Sequence, residues 1–228
     1  MKKEIKIETT GTPRIRTGCE PLDSLLGGGF ERGVISQIYG EAGSGKTNVC
    51  LQTIVNCILD GYGVVFIDTE GFSTERLYQI AGKNAQKIVR KMIVYEPIEL
   101  SQQLSVIKNV EHSEDESLGL IVVDSMTSLY RPYATDTLKR RELTEQLLML
   151  QRIARRHNTC VLITNQVYTD VESGEFCPIG GTMISYISKA ILKLEKMGGG
   201  RRRATIMKHR SRPEGEYCEF MITDTGII

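Results

Sequence analysis

Three stretches of the chain are apolar at nearly every position, residues 63–68, 118–123 and 160–163, and residues 34–39 form a further short β-rich run that ends at a glycine. Runs of this length and composition predict strands buried on both faces. Between them the apolar spacing changes. Val49, Cys50, Thr53, Ile54, Cys57 and Ile58 recur with helical period, as do Leu147, Leu150, Ile153 and Ala154. Residues 72–89 also read as helical, with a break near residues 82–84, and so do residues 100–110. A short strand is expected at residues 92–95 between them. Strand and helix alternating in this way predict a mostly parallel sheet flanked by helices.

The two ends of the chain read differently. At the start, Ile5 and Ile7 alternate with charges, so residues 1–16 predict an edge strand or an arm, and residues 17–228 the domain proper. A short helix with Pro21 near its start is expected at residues 17–26, ended by Gly27-Gly28-Gly29. Residues 111–117 read as a solvated acidic loop, residues 128–141 as irregular and residues 167–178 as a polar loop. Residues 185–196, 201–209 and 216–222 predict three strands, the last two antiparallel at the sheet edge.

The chemistry concentrates where predicted strands end. Gly40-Glu41-Ala42-Gly43-Ser44-Gly45-Lys46-Thr47 fits G-x-x-x-x-G-K-[ST] between a strand and a helix. Glycines there let backbone N–H groups approach an anion, and the helix start adds a favourable field. In such a loop Lys46 reaches the β- and γ-phosphates and the Thr47 hydroxyl holds Mg²⁺. The loop and Asn48 are the expected ATP contacts. Asp124 closes a second apolar strand and is the expected further Mg²⁺ ligand. Glu70 follows a third strand end, where a carboxylate can orient and deprotonate an attacking water. Gln166 follows a fourth, where an amide can donate to a γ-phosphate oxygen.

Charge narrows the choice of partners. Net charge is +1 over 228 residues, so nucleic-acid binding has to come from local clusters. Two stand out: Lys139-Arg140-Arg141, and the six basic residues from Arg201 to Arg212, with no acid among them. A solvated face and a phosphate contact both explain the second cluster. Tyr133 is the aromatic near the first and either stacks on an unpaired base or packs in the core. The six cysteines show no C-x-x-C spacing, which argues against a zinc site, and Cys50, Cys57 and Cys160 lie within apolar runs and read as buried thiols in a reducing cytosol. No apolar run has the length of a membrane helix.

Taken together, residues 17–29, 40–47, 67–71, 120–131, 162–167 and 178–181 resemble the ATPase core of the RecA superfamily, in its archaeal and eukaryotic recombinase branch. Within that branch the chain is similar to a recombinase paralogue. Only residues 1–16 precede the core, and no Phe precedes Phe30 to supply the Phe-x-x-Ala docking segment of recombinase filaments. The resemblance implies a RecA-like fold and a weak or DNA-dependent Mg-ATPase that assists homologous recombination and DNA repair. The implied partners are single- or double-stranded DNA, a main recombinase with other repair proteins, and further copies of the chain; the implied location is the cytoplasm, at the nucleoid. It places Arg131, Tyr133, Lys139, Arg140, Arg141 and Arg201, Arg202, Arg203 towards DNA. It gives Lys208 and Arg210 a contact with a neighbouring subunit's nucleotide. Two other readings remain: a signalling ATPase or autokinase like the circadian-clock KaiC family, and a non-enzymatic adaptor with ATP as a structural ligand.

Overall fold

The structure is a computed structural model that describes residues 12–113, 115–169 and 176–228. The expected N-terminal arm lies largely outside the described residues. Strand β1 (Arg14–Ile15) pairs with β2 (Phe30–Glu31) across helix α1 (Glu20–Leu26). The chain then enters β3 (Ile35–Gly40), turns through the phosphate loop and continues as α2 (Lys46–Leu59).

Next come β4 (Gly63–Asp68), α3 (Thr74–Ala81), a 3₁₀ turn (Gly82–Asn84) and α4 (Ala85–Lys91). The expected break at residues 82–84 is that turn. Strand β5 (Met92–Tyr95), α5 (Leu100–Glu111) and β6 (Leu118–Asp124) follow. A 3₁₀ turn at Arg131–Tyr133 leads to α6 (Thr137–His157) and β7 (Cys160–Asn165). A hairpin of β8 (Val167–Thr169) and β9 (Phe176–Pro178) precedes α7 (Gly181–Ile187). Strands β10 (Ala190–Gly198), β11 (Arg201–Lys208), β12 (Tyr217–Thr223) and β13 (Gly226–Ile227) complete the chain.

Nine strands form one sheet in the order β13-β12-β11-β10-β3-β7-β6-β4-β5. Pairings from β10 across to β5 are parallel and those from β10 to β13 antiparallel. The α/β architecture is therefore the one expected from the alternation of periods, with antiparallel strands at the C-terminal edge. Side chains alternate between two core layers. Val64, Phe66, Leu120 and Val122 join the layer under α1–α4. Val65, Ile67, Ile121 and Val123 join the layer under α5–α7. Because the parallel strands run the same way, β3, β4, β6 and β7 deliver their C-terminal ends to one rim of the sheet.

Three expected elements differ. Helix α6 starts at Thr137, inside the stretch 128–141 expected to be irregular, because the Asp136 carboxylate caps it, accepting from Leu138 N at 2.8 Å and Lys139 N at 3.2 Å. Lys139, Arg140 and Arg141 thus stand on a helix, not on an irregular loop. Residues 185–187 belong to α7, whose Ile184 and Ile187 are buried at helical spacing; the strand expected from residue 185 begins at Ala190. The polar loop at residues 167–178 contains a two-stranded hairpin whose residues 170–175 lie outside the described residues.

Candidate functional site

Strand β3 ends at Gly40, whose backbone leaves no room for a side chain: a Cβ there would stand 2.3 Å from the Leu194 carbonyl oxygen. The loop from Gly40 to Gly45 then wraps back into the N-terminus of α2. Lys46 is buried, and its Nζ donates to the carbonyls of Gly40 at 2.9 Å and Glu41 at 3.0 Å. Burial pulls its ammonium below the usual lysine range, while the charges of Glu70 and Asp124 work in the opposite direction. The Ser44 hydroxyl is buried with no hydrogen-bond partner among the described residues.

Asp124 sits at the end of β6 and is 2% exposed. Its carboxylate accepts from the Thr47 hydroxyl at 2.6 Å and from the Thr164 hydroxyl at the end of β7. Burial pushes this carboxyl above its ordinary range, and the two hydroxyls counteract the push. Thr47 and Asp124 therefore present hard oxygen atoms to one point, as a small divalent cation requires. Among the described residues, no three His, Cys, Asp or Glu side chains cluster to hold a metal. A cation here would draw its remaining ligands from phosphate and water, the habit of Mg²⁺. The orphaned Ser44 hydroxyl and the Lys46 ammonium are donors that suit the acceptor oxygens of a phosphate.

Glu70 is exposed just beyond β4. Its position is set by Asp68, whose carboxylate accepts from the N–H groups of Glu70, Gly71 and Phe72 at 2.8–3.2 Å. The Glu70 carboxylate accepts from Gln166 Nε2 at 2.8 Å, and Arg131 Nη1 donates to Gln166 Oε1 at 3.4 Å. Thr69 ties the ends of β4 and β6: its hydroxyl donates to the Ser125 carbonyl and accepts from Ser125 N, both at 2.9 Å. Lys46, Thr47, Glu70, Asp124 and Gln166 thus lie on one rim, as their strand ends predict.

Asn48 is turned aside. Its Oδ1 accepts from Arg76 Nε at 2.7 Å, and the rest of the Arg76 guanidinium donates to the carbonyls of Thr223, Asp224 and Gly226. Arg76 joins α2, α3 and the C-terminal strands at the start of α2. Nothing in its helical setting singles it out in the sequence. Asp68 had a readable signal, since an Asp followed by free N–H groups two to four residues on is a turn former. Thr164 had only its place at the end of an apolar strand.

The basic residues divide. Arg131 is exposed on its 3₁₀ turn, and Tyr133 is 45% exposed, which removes the core alternative for that ring. Lys139 Nζ lies 5.6 Å from the Tyr133 ring centroid and pairs with Glu142 at 3.0 Å. Arg140 lines a groove of about 510 Å³ with Tyr130, Leu143, Gly180, Gly181 and Met183. Alternation along β11 separates the three arginines expected to act together. Arg203 pairs with Glu219 at 2.8 Å, whereas Arg202 turns to the opposite face, towards the phosphate loop. Lys208 Nζ donates to the Ser185 carbonyl at 2.8 Å, and Arg210 pairs with Glu31. Both residues expected to reach a neighbour's nucleotide are engaged within their own chain.

Fold and site together define a RecA-like α/β core with a phosphate-binding loop at the ends of its parallel strands. A family model for Rad51 matches residues 10–228. The chain is 50% identical over 218 residues to the DNA repair and recombination protein RadB of Methanococcoides burtonii, covering 94% of this chain and 97% of that one. It is 42% identical to the protein of that name from Pyrococcus furiosus, covering 95% and 96%. A crystal structure of the RadB recombinase superposes with a TM-score of 0.83 at 41% identity, covering 93% of this chain and 98% of that chain. The chain belongs to the Rad51 family. Among the described residues no helix is long and apolar enough to cross a membrane.

Proposed function

We propose that the chain binds Mg-ATP, hydrolyses it slowly, and binds DNA as an accessory to a main recombinase, with residues 17–228 as its ATPase core. The observation that carries this reading is the convergence of Lys46, the Thr47–Asp124 pair and the Glu70–Gln166 pair on one rim of the sheet. Membership of the Rad51 family, and relatives named for DNA repair and recombination, favour it over a clock-type ATPase.

Lys46 leaves its two loop carbonyls and places its charge on the phosphates. Thr47 and Asp124 would hold Mg²⁺, which would supply positive charge against the phosphate oxygens. Glu70 orients a water and takes its proton. Gln166 links Glu70 to Arg131, so occupancy of the Arg131 turn by DNA can alter the base. Arg131, Tyr133, Lys139, Arg140, Arg141, Arg201 and Arg203 are the proposed DNA contacts. Contact of Lys208 and Arg210 with a neighbour's nucleotide requires both to break their present pairings.

The test measures ATP binding, ATP turnover and DNA binding in the same samples, for the wild type and for Lys46→Ala. Wild-type protein binds DNA in a nucleotide-dependent way. Lys46→Ala loses tight Mg-ATP binding, because one cation facing two phosphates is gone from a buried site. An ATP affinity within about twofold of wild type in that variant would sink the assignment of the loop.

A further inference from the structure

Strand β11 carries three consecutive arginines, and the middle one has a place of its own. Arg202 shares its face of the sheet with Ala204 and Ile206, which belong to the core layer under α2. That face extends over the phosphate loop. Arg202 Nη2 donates to the Gly43 carbonyl at 3.1 Å, and Nη1 to the Arg201 carbonyl at 2.9 Å. The Nε–H is buried with no acceptor among the described residues. It lies 3.8 Å from the point where a Cβ on Gly45 would stand. Ile222, on β12, covers that point at 2.9 Å. From β10, Lys196 brings a second cation, its Nζ 3.8 Å from the Glu41 carboxylate.

A solvated arginine would keep all its N–H groups hydrated. Arg203 on the other face has the same orphaned Nε–H; what Arg202 alone of the two has is the bond to the Gly43 carbonyl, which draws it against the loop. The loop offers a reason. Gly43 and Gly45 have φ of +72° and +102° and no side chains with which to hold their own peptides. The hairpin supplies from outside what the glycines lack. The Gly43–Ser44 peptide is one planar unit held at both ends: Arg202 donates to its carbonyl, and its Ser44 N–H donates to the Glu41 carbonyl at 3.1 Å. Backbone N–H groups of such a loop are its phosphate ligands.

The geometry points to Arg202 as a positioning residue of the phosphate site, acting through the Gly43–Ser44 peptide and, with Lys196, adding positive potential behind the loop. The C-terminal hairpin is thereby part of the nucleotide site of its own chain. The inference rests on the Mg-ATP reading above.

The experiment titrates MgATP and MgADP into wild type, Arg202→Ala, Arg202→Lys and Lys46→Ala at several salt concentrations, with unfolding midpoints of the nucleotide-free proteins. Arg202→Ala weakens MgATP about tenfold, weakens MgADP less, and flattens the salt dependence of ATP affinity. Its midpoint stays within about 2 °C of wild type. Arg202→Lys restores the salt dependence but not the affinity, since an ammonium lacks the planar fork that bridges two carbonyls. Wild-type affinity in Arg202→Ala, beside a deficient Lys46→Ala, would overturn the inference and leave the ATP reading standing. A loss matched by a fall in midpoint, with unchanged salt dependence, would assign Arg202 to packing and overturn it too. Absence of ATP binding by the wild type would remove the ATP reading itself.

Discussion

Glu70 is held by a single carboxylate, that of Asp68, which gathers three successive N–H groups beyond β4. The turn is therefore rigid while the Glu70 side chain stays exposed and bonded to Gln166. A base so placed matters to the transition state more than to binding. Glu70→Gln keeps the hydrogen-bonding shape and loses the proton acceptor. Turnover falls by about 10²-fold or more while ATP affinity changes by less than about threefold, read by single-turnover hydrolysis beside equilibrium binding. Unchanged turnover would leave Glu70 only as a partner of Gln166.

At the scale of elements, the start of α6 decides how the basic cluster acts. Asp136 caps the helix and lifts Lys139, Arg140 and Arg141 onto its first turns. Lys139 is partly neutralised by Glu142, whereas Arg140 and Arg141 are exposed. The two arginines should therefore carry most of the cluster's phosphate contacts. Each contact released removes about 0.7–0.9 from the slope of log affinity against log salt. Replacing both with Ala weakens binding to all DNA sequences alike and flattens that slope by about one to two units. An unaltered slope would place the DNA face elsewhere, the side of the hairpin that carries exposed Arg201 and half-buried Arg203 being the next to test.

Across the whole molecule, one buried sheet leaves its mark on the response to pH. Cys50, Cys57 and Cys160 are fully buried, and burial pushes all three thiols up, Cys57 to about 12. In the unfolded chain these thiols ionise above about pH 8.5. Their folded values are raised, so the stability they contribute is complete below that pH and is lost as pH rises through the window towards the folded values. Each contributes a slope of up to about 1.4 kcal/mol per pH unit. Urea unfolding of the nucleotide-free protein between pH 8 and pH 10 shows falling stability, and Cys160→Ala shows a shallower fall. Equal slopes for the two proteins would mean that the thiol is not shielded in the fold.

Much of this was legible along the chain because it is local. Continuous apolar runs are strands buried twice over, and Asp124, Glu70 and Gln166 announce themselves by following such runs. The phosphate loop is a contiguous motif, so Lys46 and Thr47 needed no tertiary information. The start of α6 was local too, but its cap lies in a stretch read as irregular because Pro132 and the basic run obscured it. Tertiary structure alone decided what depends on strand order and register. Residues far apart in sequence meet at the site: Thr164 on Asp124, Arg76 on the C-terminal carbonyls, Lys208 and Arg210 on their own chain. Alternation along β11 could be read in advance, but not which face looks onto the phosphate loop. That followed only from β10 pairing beside β3, which brings the C-terminal hairpin against Gly43 and turns one of three identical arginines away from the other two.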